Sequence, residues 1–160
     1  MLSNVKAIPE GYHTVTPYLT LRDAAQAMEF YKSAFGARET FRMNTPEGKI
    51  GHAELTIGDS IVMLSDENPQ GGCASPSSLK GTTVTLFLYV EDVDATFQQA
   101  VKAGATVLMP VTDMFWGDRH GQLADPFGHR WSIATHKEDL TPDQVAARAR
   151  KAFATQPAKV

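Results

Sequence analysis

Tyr18-Leu19-Thr20-Leu21-Arg22-Asp23 is written a second time as Phe87-Leu88-Tyr89-Val90-Glu91-Asp92. Both copies run aromatic, Leu, Thr or Tyr, aliphatic, charged, Asp. Each leads into an amphipathic stretch that closes on a Gly-Ala pair, Gly36-Ala37 and then Gly104-Ala105. The two Asp residues lie 69 positions apart and the two glycines 68. Self-similarity at a fixed spacing marks a duplicated unit and directs the search for a site to the region between two similar halves.

Working outward from the first copy, Thr16, Tyr18 and Thr20 alternate with Leu19 and Leu21, which reads as a strand from His13 to Leu21. Pro17 lacks an N–H, so one side of that strand is left unpaired. Asp23 caps a helix whose apolar stripe is Ala27, Phe30, Tyr31, Ala34 and Phe35, with Gly36 beyond its end. Strands follow over Arg38 to Asn44, Ile50 to Ile57 and Ser60 to Ser65. The second copy repeats this order: a strand from Thr83 to Val90, a helix capped by Asp92, then strands over 106–111, 121–125 and 130–135. The fold class is α+β, two β-α-β-β-β modules spanning 12–66 and 83–136. Residues 67–82, rich in Gly, Pro and Ser, read as a linker or a lid. A further helix spans 140–155, with Thr141 as N-cap, Pro142 at its first position and Gln144 closing a capping box. Residues 1–12 read as a flexible lead-in.

A chain of 160 residues with 42% hydrophobic content can bury a core of its own. The net charge is −3 and the basic residues are scattered, which argues against a nucleic-acid surface. No window resembles a signal peptide or a membrane span. Cys73 is the single cysteine and sits in a loop with no partner to activate it, so it reads as an inert thiol in a cytoplasmic protein.

Alternation sorts the strand residues onto two faces. Leu19, Leu21, Ala53, Leu55, Ile57, Leu86, Leu88, Val90, Trp131 and Ile133 form an aliphatic face that must meet the helices. The other face carries Thr16, Tyr18, Thr20, His52, Glu54, Thr85, Phe87, Tyr89 and Ser132. Curled around that face, the sheets form a cup with aromatic walls and a few polar groups, as small-molecule sites do. The alternative is a face that is merely wet.

The doubled module resembles the vicinal oxygen chelate superfamily, which includes glyoxalase I, extradiol dioxygenases and the bleomycin and fosfomycin resistance proteins. Four stretches resemble its PhnB-like branch: Thr16-Pro17-Tyr18-Leu19 with Phe30-Tyr31; Gly51-His52-Ala53-Glu54-Leu55 with Ile57-Gly58-Asp59; Phe115-Trp116-Gly117-Asp118-Arg119; and Asp125-Pro126-Phe127-Gly128-His129. The resemblance implies metal ligands at four positions, which fall on Thr16, near Ser65, on Thr85 and on Ser132. Neutral hydroxyls are poor ligands for transition metals. No metal and no cofactor are therefore expected, as in the bleomycin-binding members.

His52 and Glu54 lie two apart on one strand, so both point into the cup. A carboxylate beside an imidazole suits a general base. The same pair also suits a structural salt bridge, or a displaced metal with His120 as a third ligand. Trp116 reads either as a pocket wall or as core. Arg119 reads either as a partner for a ligand anion or as one half of an ion pair with Asp118 or Glu54. The resulting expectation is a metal-independent small-molecule-binding protein and homodimer, with Thr16, Tyr18, Phe87, Tyr89, Trp116, Arg119 and Ser132 contacting the ligand. The alternative is a lyase or isomerase using His52 and Glu54.

Overall fold

The computed structural model describes residues 5–154. The first four residues of the lead-in and the last residue of the helix expected over 140–155 lie outside that range.

Two four-stranded sheets are built to one plan. In the first module β1 (Tyr18–Leu21), α1 (Ala24–Phe35), β2 (Arg38–Asn44), β3 (Ile50–Ile57) and β4 (Ser60–Asp66) give the strand order β1-β4-β3-β2. A four-residue helix, α2 (Pro76–Leu79), lies between the modules. In the second module β5 (Thr85–Tyr89), α3 (Val93–Ala103), β6 (Thr106–Asp113), β7 (Asp118–Ala124) and β8 (Arg130–His136) give the order β5-β8-β7-β6. β1 runs parallel to β4, β5 runs parallel to β8, and the remaining pairs are antiparallel. The duplication read from the sequence is thus a duplication of topology. The sheets curl but do not close on each other.

The helices start and stop where the chain signals. Asp23 and Asp92 accept hydrogen bonds from the amides of Gln26 and Ala95, satisfying first-turn donors. Gly36 and Gly104 form left-handed C-caps. α4 (Pro142–Ala154) opens on the expected reciprocal box. The Gln144 amide N–H donates to the Thr141 hydroxyl, and the Thr141 N–H donates to Oε1 of Gln144.

The aliphatic face is the core. Leu19, Leu21, Ala53, Leu55, Ile57, Trp131 and Ile133 are buried, with Leu86, Leu88 and Val90 packed at its margin. One cluster draws on both modules. The side-chain amide of Gln99 on α3 donates to the carbonyls of Ser33 and Ala34 at the end of α1, pinning the two helices together.

The starts of β1 and β7 differ from the sequence reading. β1 begins at Tyr18, not His13, because Pro17 has no N–H and the Thr16 hydroxyl turns back to the His13 carbonyl. β1 is an edge strand, as Pro17 implied. β7 begins at Asp118, so Asp118, Arg119 and His120 stand on a strand rather than in a loop. The loop is only a tight turn, closed by hydrogen bonds between Gly117 and Met114 and between Met114 and Asp118.

The segment between the modules is strapped down. Ser75 and Pro76 are buried. Glu67 accepts from the Ser78 hydroxyl, the Ser75 amide and Arg22, contacts that hold its carboxyl down to about 2. Ser77 donates to the Phe127 carbonyl, so the strap ties both modules.

Candidate functional site

Site geometry follows from the strand register. In the first module Tyr18 on β1 and His52 and Glu54 on β3 share the face away from the helices. The Tyr18 hydroxyl lies 3.0 Å from Nδ1 of His52, and Nε2 of His52 lies 3.3 Å from Oε1 of Glu54. With Nε2–H facing the carboxylate, Nδ1 is the acceptor for the Tyr18 hydroxyl. Tyr12 donates to the other Glu54 oxygen at 2.5 Å, and that bond, with some burial, raises the Tyr12 phenol above its ordinary value. Every polar atom of the His52 ring therefore has a partner within the chain. Phe41 on β2 stands 5.9 Å from the same ring.

In the second module Phe87 and Tyr89 on β5 share a face with Ser132 on β8 and with Asp118, His120 and Gln122 on β7. Phe87 stacks on His120, with centroids 5.5 Å apart and planes within 5°. Trp116 lies 5.8 Å from His120. Asp118 ties this region together. Its Oδ2 accepts from the Tyr89 hydroxyl and the Trp116 indole N–H, and its Oδ1 lies 2.8 Å from Nδ1 of His136. Burial opposes ionisation of Asp118, yet these hydrogen bonds and the His136 charge outweigh it and hold the carboxyl below the usual range. The same contact, with a second carboxylate from Asp139, raises His136 above the ordinary imidazole value.

A group whose native pKa is raised stabilises the fold fully below its unfolded value, and that stabilisation is lost as pH rises through the native value. Asp118 stays ionised across that range. The stability gap between the protein and His136→Ala is therefore expected to be largest below about pH 6.5 and to shrink as pH rises. Denaturant titrations across a pH series measure it, and a gap that widens with pH contradicts the assignment.

Of the ligand residues expected from sequence, Tyr18, Phe87, Tyr89 and Ser132 lie on the cup face, with Trp116 at its margin. Thr16 precedes β1, with its hydroxyl bonded to the His13 carbonyl. Arg119 stands apart from these. It alternates onto the opposite face of β7, where Asp94 takes it in two bonds of 2.7 and 2.8 Å and Asp113 in one of 3.1 Å. These carboxylates raise its pKa further and leave it fully engaged beside the start of α3, with neither Asp118 nor Glu54 as partner. Two clefts, of about 700 and 530 Å³, run beside the edges of β1 and β5. Tyr18 stands on the wall of the first, and Phe87 and Tyr89 on the wall of the second.

The comparisons agree with this fold. A sequence model described as the glyoxalase/bleomycin resistance protein/dioxygenase superfamily matches residues 12–133. The chain belongs to this superfamily. An uncharacterized protein of Mycobacterium bovis is 47% identical over 136 residues, covering 83% of this chain and 90% of the relative. The crystal structure of TioX from Micromonospora sp. ML1 is similar at 31% identity and a TM-score of 0.62, covering 76% of this chain and 97% of TioX. A PhnB protein from Bacillus cereus shares the fold at 21% identity and a TM-score of 0.60, covering 77% of this chain and 99% of that one.

Metal-using members of the superfamily raise the question of an ion here. The resemblance puts those ligands at Thr16, near Ser65, at Thr85 and at Ser132, residues that offer neutral hydroxyls. Among the described residues, no group of three or more His, Cys, Asp or Glu side chains comes together to hold a metal, so His120 does not join His52 and Glu54 as a third ligand. This donor set does not fit such an ion.

Sequence reasoning overlooked His120 as the counterpart of His52. The signal was present: His52-Ala53-Glu54-Leu55 is matched 68 positions later by His120-Gly121-Gln122-Leu123. It also missed Tyr12, whose separation from Glu54 in sequence gives no periodic clue.

Proposed function

We propose that this chain is a small-molecule-binding member of its superfamily that works without a catalytic metal, taking a partly aromatic ligand against the cup face. The observation that carries the reading is the state of Phe87 and Tyr89. They are 50% and 61% exposed on a sheet face, with ring centroids 5.0 Å apart, beside a 530 Å³ cleft. Uncovered aromatic surface next to a cleft of that size suits a ligand with a flat apolar body. Tyr18, on the wall of the neighbouring 700 Å³ cleft, and Thr16, Trp116 and Ser132 are the further residues assigned to the ligand. The reading includes a homodimer, supported by the bare edge strands β2 and β6, where Phe41, Met43, Val107 and Leu108 are exposed. Its compartment is the cytoplasm, where a lone exposed Cys73 thiol is at home.

A thermal-shift screen against aromatic antibiotics, phosphonates and thiol conjugates tests this. A ligand at a hundred times its Kd stabilises the native state by about 2.7 kcal/mol, a readily measured rise in Tm. Aromatic hits that lose most of their effect in Phe87→Ala are expected. A flat screen favours a scaffold without a ligand and ends this reading.

A second reading has its own observation, the run of hydrogen bonds Tyr18–His52–Glu54–Tyr12. An imidazole held between a phenol and a carboxylate can move a proton, as a lyase or isomerase requires. Any turnover found for the protein should collapse in His52→Ala, and turnover that survives removes this reading.

A further inference from the structure

The two modules place a histidine at the same point of the same strand, and only one of the two is satisfied. His52 has Tyr18 at a centroid distance of 5.5 Å and His120 has Phe87 at 5.5 Å, so the aromatic neighbour is duplicated as well. Phe87 stands where Tyr18 does but lacks the hydroxyl that reaches Nδ1 of His52. Gln122 stands where Glu54 does but makes no bond to the ring. His120 is thus left with neither of the partners that His52 keeps. Its residue is only 4% exposed, and both ring nitrogens are buried without any hydrogen-bond partner. Burial lowers its pKa, so at neutral pH the ring is an uncharged imidazole, one nitrogen donating and one accepting.

An orphaned buried imidazole costs stability, and native proteins seldom leave one without use. The barrier covering it is slight: Phe87 is half exposed and sits on the edge strand β5. We propose that His120 is the polar anchor of the cup and takes the hydroxyl of an aromatic ligand, which supplies in trans what Tyr18 supplies to His52 within the chain. The ligand class is a flat aromatic carrying a phenol-like hydroxyl. Its ring replaces part of the Phe87 and Trp116 contact, and its O–H donates to the accepting nitrogen of His120. This deepens the binding reading above and rests on it.

The test uses 2-naphthol and its methyl ether, 2-methoxynaphthalene, which share a ring system but differ in the donor. Affinities are read by calorimetry on the full chain. The expected result is that 2-naphthol binds about tenfold tighter, the scale of one hydrogen bond to an otherwise unpaired buried group. His120→Phe should abolish that preference while still binding both compounds. The variant removes the unpaired nitrogens but brings a larger ring into a buried position, so its folding is checked first. Should it not fold, ¹⁵N spectra of the His120 ring in the unaltered protein decide the matter: the accepting nitrogen should shift with 2-naphthol and not with the ether. Equal affinities, a preference that survives His120→Phe, or an unmoved ring nitrogen overturns the His120 assignment and leaves the binding reading standing. If neither compound binds, the His120 assignment falls, and the binding reading is decided by the thermal-shift screen alone.

Discussion

Replacing Asp125 by alanine is expected to destabilise the protein by about 3–5 kcal/mol, enough to lower Tm by roughly 10 °C. Asp125 is buried, and both its oxygens are fully used. Oδ1 accepts from the amides of Phe127 and His129, which shapes the Asp125-Pro126-Phe127-Gly128 turn between β7 and β8. Oδ2 accepts from the Tyr31 hydroxyl of α1 at 2.8 Å and from the Trp131 indole at 3.0 Å. Burial, then the neighbouring Asp125 charge, pushes the Tyr31 phenol well above its ordinary value, so it remains a donor. Alanine leaves two buried side-chain donors unpaired and releases the turn. Asparagine keeps one accepting oxygen and should cost about half as much. Denaturant unfolding measures each, and a loss for Asp125→Ala below about 1 kcal/mol contradicts this account.

Gly117→Ala is the second large effect, expected at about 2–4 kcal/mol. Gly117 has φ +100°, which a side chain rarely adopts. An added Cβ would also lie 2.6 Å from the Glu138 carbonyl oxygen, a backbone atom held in place because the amides of Lys137 and Glu138 donate to the Gly117 carbonyl. The clash cannot be relieved by rotating a side chain. Gly48 is the control. It has φ +83° with nothing within 4 Å, so alanine there should show the conformational penalty alone, about 1 kcal/mol. Equal losses at the two positions would mean that the close approach to Glu138 is unimportant. The Gly117 variant should also alter the tryptophan emission, because Trp116, one of two tryptophans, lies within the same turn and bonds Asp118.

Most of the architecture was legible because it depends on local, periodic chemistry. Asp23, Gly36, Asp92 and Gly104 mark helix ends through backbone groups within a few residues, and alternation assigned the buried strand residues correctly. The start of β7 was misjudged because Phe115-Trp116-Gly117 resembles a longer loop, when one glycine suffices for the turn. Arg119 followed from that error. Once Asp118 is placed on the strand, alternation sends Arg119 to the helix side and His120 to the cup. The pairing of His52 with Glu54 was legible, since two residues apart on a strand share a face. Its extension to Tyr12 was not, nor was the bond between Tyr31 and Asp125, because contacts across 42 and 94 positions leave no local trace. The Asp125-Pro126-Phe127-Gly128-His129 stretch was recognised by resemblance, but its physical role, a carboxyl shared between a turn and a distant helix, needed three dimensions.

The single cluster beneath both sheets bears on how the chain loses its structure. Tyr31 from one half and Asp125 and Trp131 from the other meet inside it, and Gln99 fastens the two helices above. Neither half can come apart while the other keeps its interior dry. A polypeptide built by doubling is therefore expected to unfold as one cooperative unit, with calorimetry showing a single transition rather than two.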